Sequence, residues 1–156
     1  MTARSLPSRR HVLIGAAGAG LALALRPREV GATPEMMQEA LRKIVGEASV
    51  QQGKVTLDLP PLVENGNVVP LTVSVESPMT EGDHVKAIHV LNQKNPQPYV
   101  ITAHLGPRAG RARISTRIKL ADAQTVIAVA AMSDGSFWSG SADIVVTIAA
   151  CVEDVP

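Results

Sequence analysis

The sequence predicts an all-β fold in which two antiparallel sheets pack face to face, with one short helix ahead of them. Three observations lead there. From Gly53 onward apolar and polar residues alternate with a period of two. Clusters of Gly, Pro, Asn and Asp interrupt that alternation at short intervals. Only one segment, near residue 40, carries helical spacing. A chain of 156 residues with 46% hydrophobic content buries one core and leaves too little for a second, so one globular domain is expected.

The chain opens with SRRHVLIGAAGAGLALALRPREVGA, where Arg9 and Arg10 precede an apolar run from Val12 to Leu25. As a helix that run reaches about 21 Å, short of a hydrocarbon core of about 30 Å, so no membrane span is expected. The run suits an export signal. The paired arginines after Ser8, with Leu13 following, match the twin-arginine type, and an ordinary secretory signal is the alternative. Val30-Gly31-Ala32 offers small residues for cleavage, so residues 1–32 are read as a removed signal and the protein as periplasmic.

Removal of that segment reverses the charge balance. Five of the fifteen basic residues (Arg4, Arg9, Arg10, Arg26, Arg28) and one of the fourteen acidic ones (Glu29) fall within it. Ten basic and thirteen acidic residues remain, a net charge of −3. With three aromatic residues and no basic cluster interleaved with them, nucleic-acid binding is not expected.

Residues 33–148 form the expected domain. Thr33 and Pro34 suit an N-cap and first helical position, with Glu35 near the positive helix end. Met37, Leu41, Ile44, Val45 and Ala48 recur near helical spacing, and Gly46 marks the end. The strands then follow as GKVTLDL, VVPLTVSVE, HVKAIHVL, YVITAHL, RARISTRIKL, QTVIAVAAM and ADIVVTIAA, about seven in all. The clearest alternation puts Ala112, Ile114, Thr116, Ile118 and Leu120 on one face and Arg111, Arg113, Arg117 and Lys119 on the other. Seven short strands broken by turns describe an immunoglobulin-like β-sandwich.

The chemistry-bearing residues are few. His84 and His89, five apart in a strand-like segment, point to opposite faces and do not chelate one ion. His104 reads as a packed or hydrogen-bonded side chain before it reads as a catalyst. A blue-copper centre needs a second His and an axial ligand beside its Cys, and only VEDVP follows Cys151. No zinc spacing, phosphate-binding glycine loop or nucleophile elbow is present, so no metal or cofactor is expected. The basic strand face reads as solvated, or as a docking patch for an acidic partner or an anionic group. Phe137 and Trp138, after the Asp134-Gly135 turn, read as core anchors or an interface cluster.

Cys151 is the one cysteine, placed just past the last expected strand. It cannot form a disulfide within its own chain. Residues 149–156 read as a flexible arm that could carry the thiol away from the sandwich. Glu153 and Asp154 disfavour the thiolate and push its pKa above the usual value of about 8.5, which suits a thiol activated by another protein's active site.

The segments LDLPPLVENGNVVPLTVSVESPMT, IHVLNQKNPQPYVITAHLGP, STRIKL and AVAAMSDGSFW, in this order and spacing, resemble the SoxY family, the sulfur-carrier subunit of the periplasmic thiosulfate-oxidising system. The resemblance implies an immunoglobulin-like protein without a catalytic site of its own, in a heterodimer with a SoxZ-like subunit. It also implies that sulfur intermediates are carried covalently on Cys151. A haem-containing enzyme would conjugate thiosulfate to that thiol, and a manganese hydrolase would release sulfate. The family's arm is typically Gly-Gly-Cys-Gly-Gly, whereas this chain has Ala149-Ala150-Cys151-Val152-Glu153-Asp154. That departure leaves two other readings open: a SoxY-like binding module without carriage, and a thiol-dependent enzyme with a basic group such as His104 near Cys151.

Overall fold

The computed structural model describes residues 33–150, so the expected signal segment and Cys151 lie outside the described residues. Helix α1 (Pro34–Val45) starts as its sequence dictates: the Thr33 side chain accepts the Met36 N–H, and Pro34 occupies the first turn. It ends at Gly46, whose φ of 61° lies in the left-handed region and whose N–H donates to the Arg42 carbonyl. Met37 and Ala40 are buried, with Leu41 and Ile44 packed beside them. Ala48, grouped in the sequence with this apolar face, lies beyond the cap and is exposed.

Nine strands follow: β1 (Val50–Gln52), β2 (Val55–Asp58), β3 (Leu62–Asn65), β4 (Val69–Val75), β5 (Val85–Asn92), β6 (Tyr99–His104), β7 (Ala112–Ile118), β8 (Gln124–Met132) and β9 (Phe137–Ile148). A single 3₁₀ turn (Pro107–Ala109) joins β6 to β7. One sheet has the order β1-β9-β8-β5-β6, with β3 also paired to β9; the other is β2-β4-β7. The two sheets enclose the main core, built from Val69, Leu71, Val73, Ile88, Val90, Leu120 and Val126 among others. Helix α1 lies on the opposite face of the larger sheet, where it covers Leu91 and Ile127.

The expected sandwich is present, with two elements the alternation did not announce. β1 and β3 are short, largely exposed strands that pair in parallel with the two ends of β9. β9 itself begins at Phe137, five residues before the expected start at Ala142, so the aromatic pair belongs to the strand and not to the turn before it. Trp138 packs against the core, donates its indole N–H to Ser136 and carries the Lys54 ammonium 4.5 Å from its ring centre.

β9 pairs with β8 from Phe137 to Ile144 and is also paired with β1 and then with β3. Between those two, β2 crosses at Gly140. A methyl group on Gly140 would collide with the Val55 carbonyl oxygen, so the crossing needs glycine for close approach. Gly140→Ala is expected to cost about 1–3 kcal/mol of unfolding free energy in urea. Gly82→Ala, where nothing lies within 4 Å, is the reference substitution and should stay within about 0.5 kcal/mol of the parent.

Candidate functional site

The candidate site is the end of β9, where the chain approaches its one cysteine. Three backbone hydrogen bonds close on one another there. The Gly66 N–H donates to the Ile148 carbonyl (2.9 Å), the Leu120 N–H to the Gly66 carbonyl (2.9 Å), and the Ala150 N–H to the Leu120 carbonyl (3.1 Å). Gly66 lies in the β3–β4 turn, Leu120 just past β7, and Ala150 just past β9. The three bonds tie segments of both sheets into one clasp. A side chain at Gly66 would strike the Leu120 carbonyl and come within 2.9 Å of the Ala150 nitrogen, so glycine is required by proximity.

Ala150 is 7% exposed. Of the arm expected from residue 149, Ala149 is exposed, Ala150 is buried and bonded to Leu120, and the remaining residues lie outside the described ones. Cys151 is the next residue in the sequence.

A network of amide side chains stiffens the rim. The Asn95 side chain donates to the Lys119 carbonyl (2.8 Å) and accepts from Ala121 N–H (2.9 Å) and the Gln124 amide (3.1 Å). Gln124 in turn accepts the N–H groups of Gln93 and Lys94. The exposed Lys94–Asp122 pair (2.7 Å) bridges the same two loops. The Lys94 hydrogen bond, helped by the Ala123 N–H, holds the Asp122 carboxyl below its usual pKa range. The segment 119–121 is thus gripped from both sides, by Asn95 on one and by Gly66 and Ala150 on the other.

The described histidines are elsewhere. His84 precedes β5, not within it, and its Nδ1 is 3.1 Å from the Thr80 carbonyl. His89 and His104 lie near each other on β5 and β6. His104 pairs with Ala87, which pairs with Ala131, seven residues along β8 from Gln124 and so about 23 Å from the clasp end of the sheet. His104 lies at the other end of the sheet from Ala150, the last described residue. Among the described residues, no group of three or more His, Cys, Asp or Glu side chains is placed to hold a metal ion. Arg113 and Arg117 are exposed on β7, as the alternation required.

The sequence profile of the sulfur oxidation protein SoxY matches residues 41–151. The chain belongs to the SoxY family. Among solved structures, the sulfur carrier protein SoxY from Chlorobium limicola superposes with a TM-score of 0.63 at 23% identity, covering 74% of this chain and all of that one. The superoxide reductase (neelaredoxin) from Ignicoccus hospitalis reaches a TM-score of 0.54 at 18% identity, over 76% of this chain and 96% of its own. At these identities the likeness speaks for a shared sandwich. No curated protein matches the chain in sequence.

The clasp escaped the sequence reading because its members are far apart in the chain and bond through backbone atoms. Only Gly66, in the NGN turn, left a mark. Asn95 lies in the polar segment NQKNPQP, with nothing local to show that its side chain braces another loop.

His89 gives the domain a pH dependence. Its Nδ1 is 3.0 Å from the Thr102 hydroxyl, and burial first, then the neighbouring His104, lowers its pKa below 6.5. The unfolded chain then binds a proton more readily than the folded one, so this contribution is complete above pH 6.5 and is lost as pH falls through the folded value. Urea midpoints should drop as pH is lowered from 7.5 past 6.5, and His89→Asn should flatten that part of the profile. An unchanged profile in the variant would assign the drop to other groups.

Proposed function

We propose that this chain is a periplasmic sulfur carrier, exported by the twin-arginine route, which holds thiosulfate-derived sulfur on Cys151 and presents it to partner enzymes. The supporting observation is that the SoxY match runs to residue 151 and therefore includes the chain's one cysteine, which follows directly on the clasp. A carrier needs a thiol at a defined, reachable place and no acid–base apparatus of its own. The rim of the sandwich offers that place, and the histidine pair lies at the other end of the sheet.

The chemistry follows from the thiol. Conjugation joins the Cys151 sulfur to the outer sulfur of thiosulfate and gives Cys–S–S–SO₃⁻, with one proton and two electrons leaving, the electrons to a haem-containing partner. Attack of water on the terminal sulfur then releases sulfate and a proton and leaves a persulfide, a step suited to a manganese hydrolase. The carrier contributes the attachment atom and the position. A SoxZ-like subunit is the expected partner in a heterodimer.

The replacement of glycines by Ala149, Ala150 and Val152, together with the anchoring of Ala150, favours a second reading in which the chain keeps its partner interface but no longer carries sulfur. Mass spectrometry decides between them. After incubation with thiosulfate and the oxidising partner, carriage gives a Cys–S–S–SO₃⁻ adduct that is absent from Cys151→Ser. An unmodified Cys151 in the presence of an active partner would leave the binding-module reading.

A further inference from the structure

One side of the sandwich is left open by two unpaired edge strands, β6 of the larger sheet and β7 of the smaller. Between them runs a groove of about 460 Å³. Its lining includes Tyr99, Thr116, Arg117 and Lys119 and contains no Asp or Glu. Neither Arg117 nor Lys119 is in an ion pair, the pairs among the described residues being Glu39–Lys43 and Lys94–Asp122. The groove therefore carries two uncompensated positive charges.

Asn92 supplies the second, independent sign of a ligand. It lines the groove and is 1% exposed. Its neighbour Leu91 packs under α1, so strand alternation turns Asn92 to the other face, into the space between the sheets. Its Oδ1 accepts the Asn95 N–H at 3.2 Å, but its Nδ2 has no hydrogen-bond partner. A buried amide donor without an acceptor is rare in folded proteins and asks for an explanation.

We infer that this groove binds a small tetrahedral sulfur oxyanion. Its oxygens would accept from Asn92 Nδ2, while Arg117 and Lys119 balance its charge. Nδ2 is closed to solvent in the free protein, so an oxygen reaches it by opening the groove floor, which the two unpaired strands permit. The groove also shares a chain segment with the thiol's anchor: Asn95 grips Lys119 from one side and Ala150 binds Leu120 from the other. The choice of sulfur oxyanions rests on the carrier reading; the preference for an anion does not. Two sources have the same chemistry, a free sulfate or thiosulfate ion and the sulfonate end of an adduct on Cys151.

Nitrogen-15 NMR of the full chain separates these sources in two arms. In the first, Cys151→Ser protein is titrated with sodium sulfate and sodium thiosulfate at constant ionic strength against chloride. In the second, wild-type protein is treated with tetrathionate, whose central S–S bond breaks as the Cys151 thiolate attacks. The product is Cys–S–S–SO₃⁻, and thiosulfate leaves with the electron pair. Saturable shifts of the Asn92 side-chain amide and of backbone amides 116–119 are expected in at least one arm. In the first arm they assign the site to the free ion, and in the second, with thiosulfate removed, to the adduct. Combined Arg117→Gln and Lys119→Gln should weaken the free-ion titration or reduce the adduct shifts about tenfold or more, whereas Arg113→Gln, on the same strand but outside the groove, should have no effect. No localised shifts in either arm, or shifts that survive the double substitution, overturn the proposal. Because the first arm lacks the thiol, oxyanion binding there stands even if partner enzymes never load Cys151.

Discussion

The hydrogen-bond circuit of Ile148, Gly66, Leu120 and Ala150 is the constraint on which the functional end of this protein depends. β9 is the hub of the larger sheet, paired with β8, β1 and β3. At its last residues that pairing runs out. The circuit takes over, tying the strand end to the β3–β4 turn and to the segment that leads from β7 to β8. Each bond contributes on the order of 1 kcal/mol net. Their effect is cooperative because the three segments are buried together, and Leu120 is fully so. Only glycine at position 66 lets the three backbones meet.

If Cys151 carries sulfur as proposed, the chain leading to it is anchored where a glycine arm would be free. A glycine tether exchanges positional order for reach. Here Ala150, the last described residue, is buried and hydrogen-bonded at the rim. On the proposed carrier reading, a partner active site must come to that rim, or the Ala150–Leu120 bond must open first. The bracing by Asn95 and Gln124 holds the receiving carbonyl still in either case. The groove lined by Arg117 and Lys119 puts positive charge on the far side of the same segment.

Much of the sandwich was legible in the sequence because burial on one sheet face imposes a period of two. RARISTRIKL shows it most plainly, with Ile114 and Ile118 turned inward and Arg113 and Arg117 outward. The cap residues Thr33 and Gly46 announced α1 through local chemistry alone. β1 and β3 gave no such signal. They are edge strands with almost no buried residues, held by parallel pairing to a strand some 80 residues later in the chain, so their sequences VQQ and LVEN have no reason to alternate. The start of β9 was hidden for a related reason: Ser139 and Gly140 follow the aromatic pair and look like a loop, yet glycine there serves the crossing of β2. At the candidate site, Cys151 was visible by its singularity. The clasp and the unpaired Asn92 amide were not, since both depend on contacts between distant segments.

The central claim is that the chain is fixed up to the residue before Cys151. Amide hydrogen exchange at Ala150, followed by NMR on the full-length chain, tests it directly. If the clasp forms as described, the Ala150 amide exchanges as slowly as that of Leu120, because both are bonded in one circuit and open together. Exchange at Ala150 at the rate of an unstructured peptide, with Leu120 still protected, would show that the arm is free from residue 149 and that the thiol has no fixed attachment point.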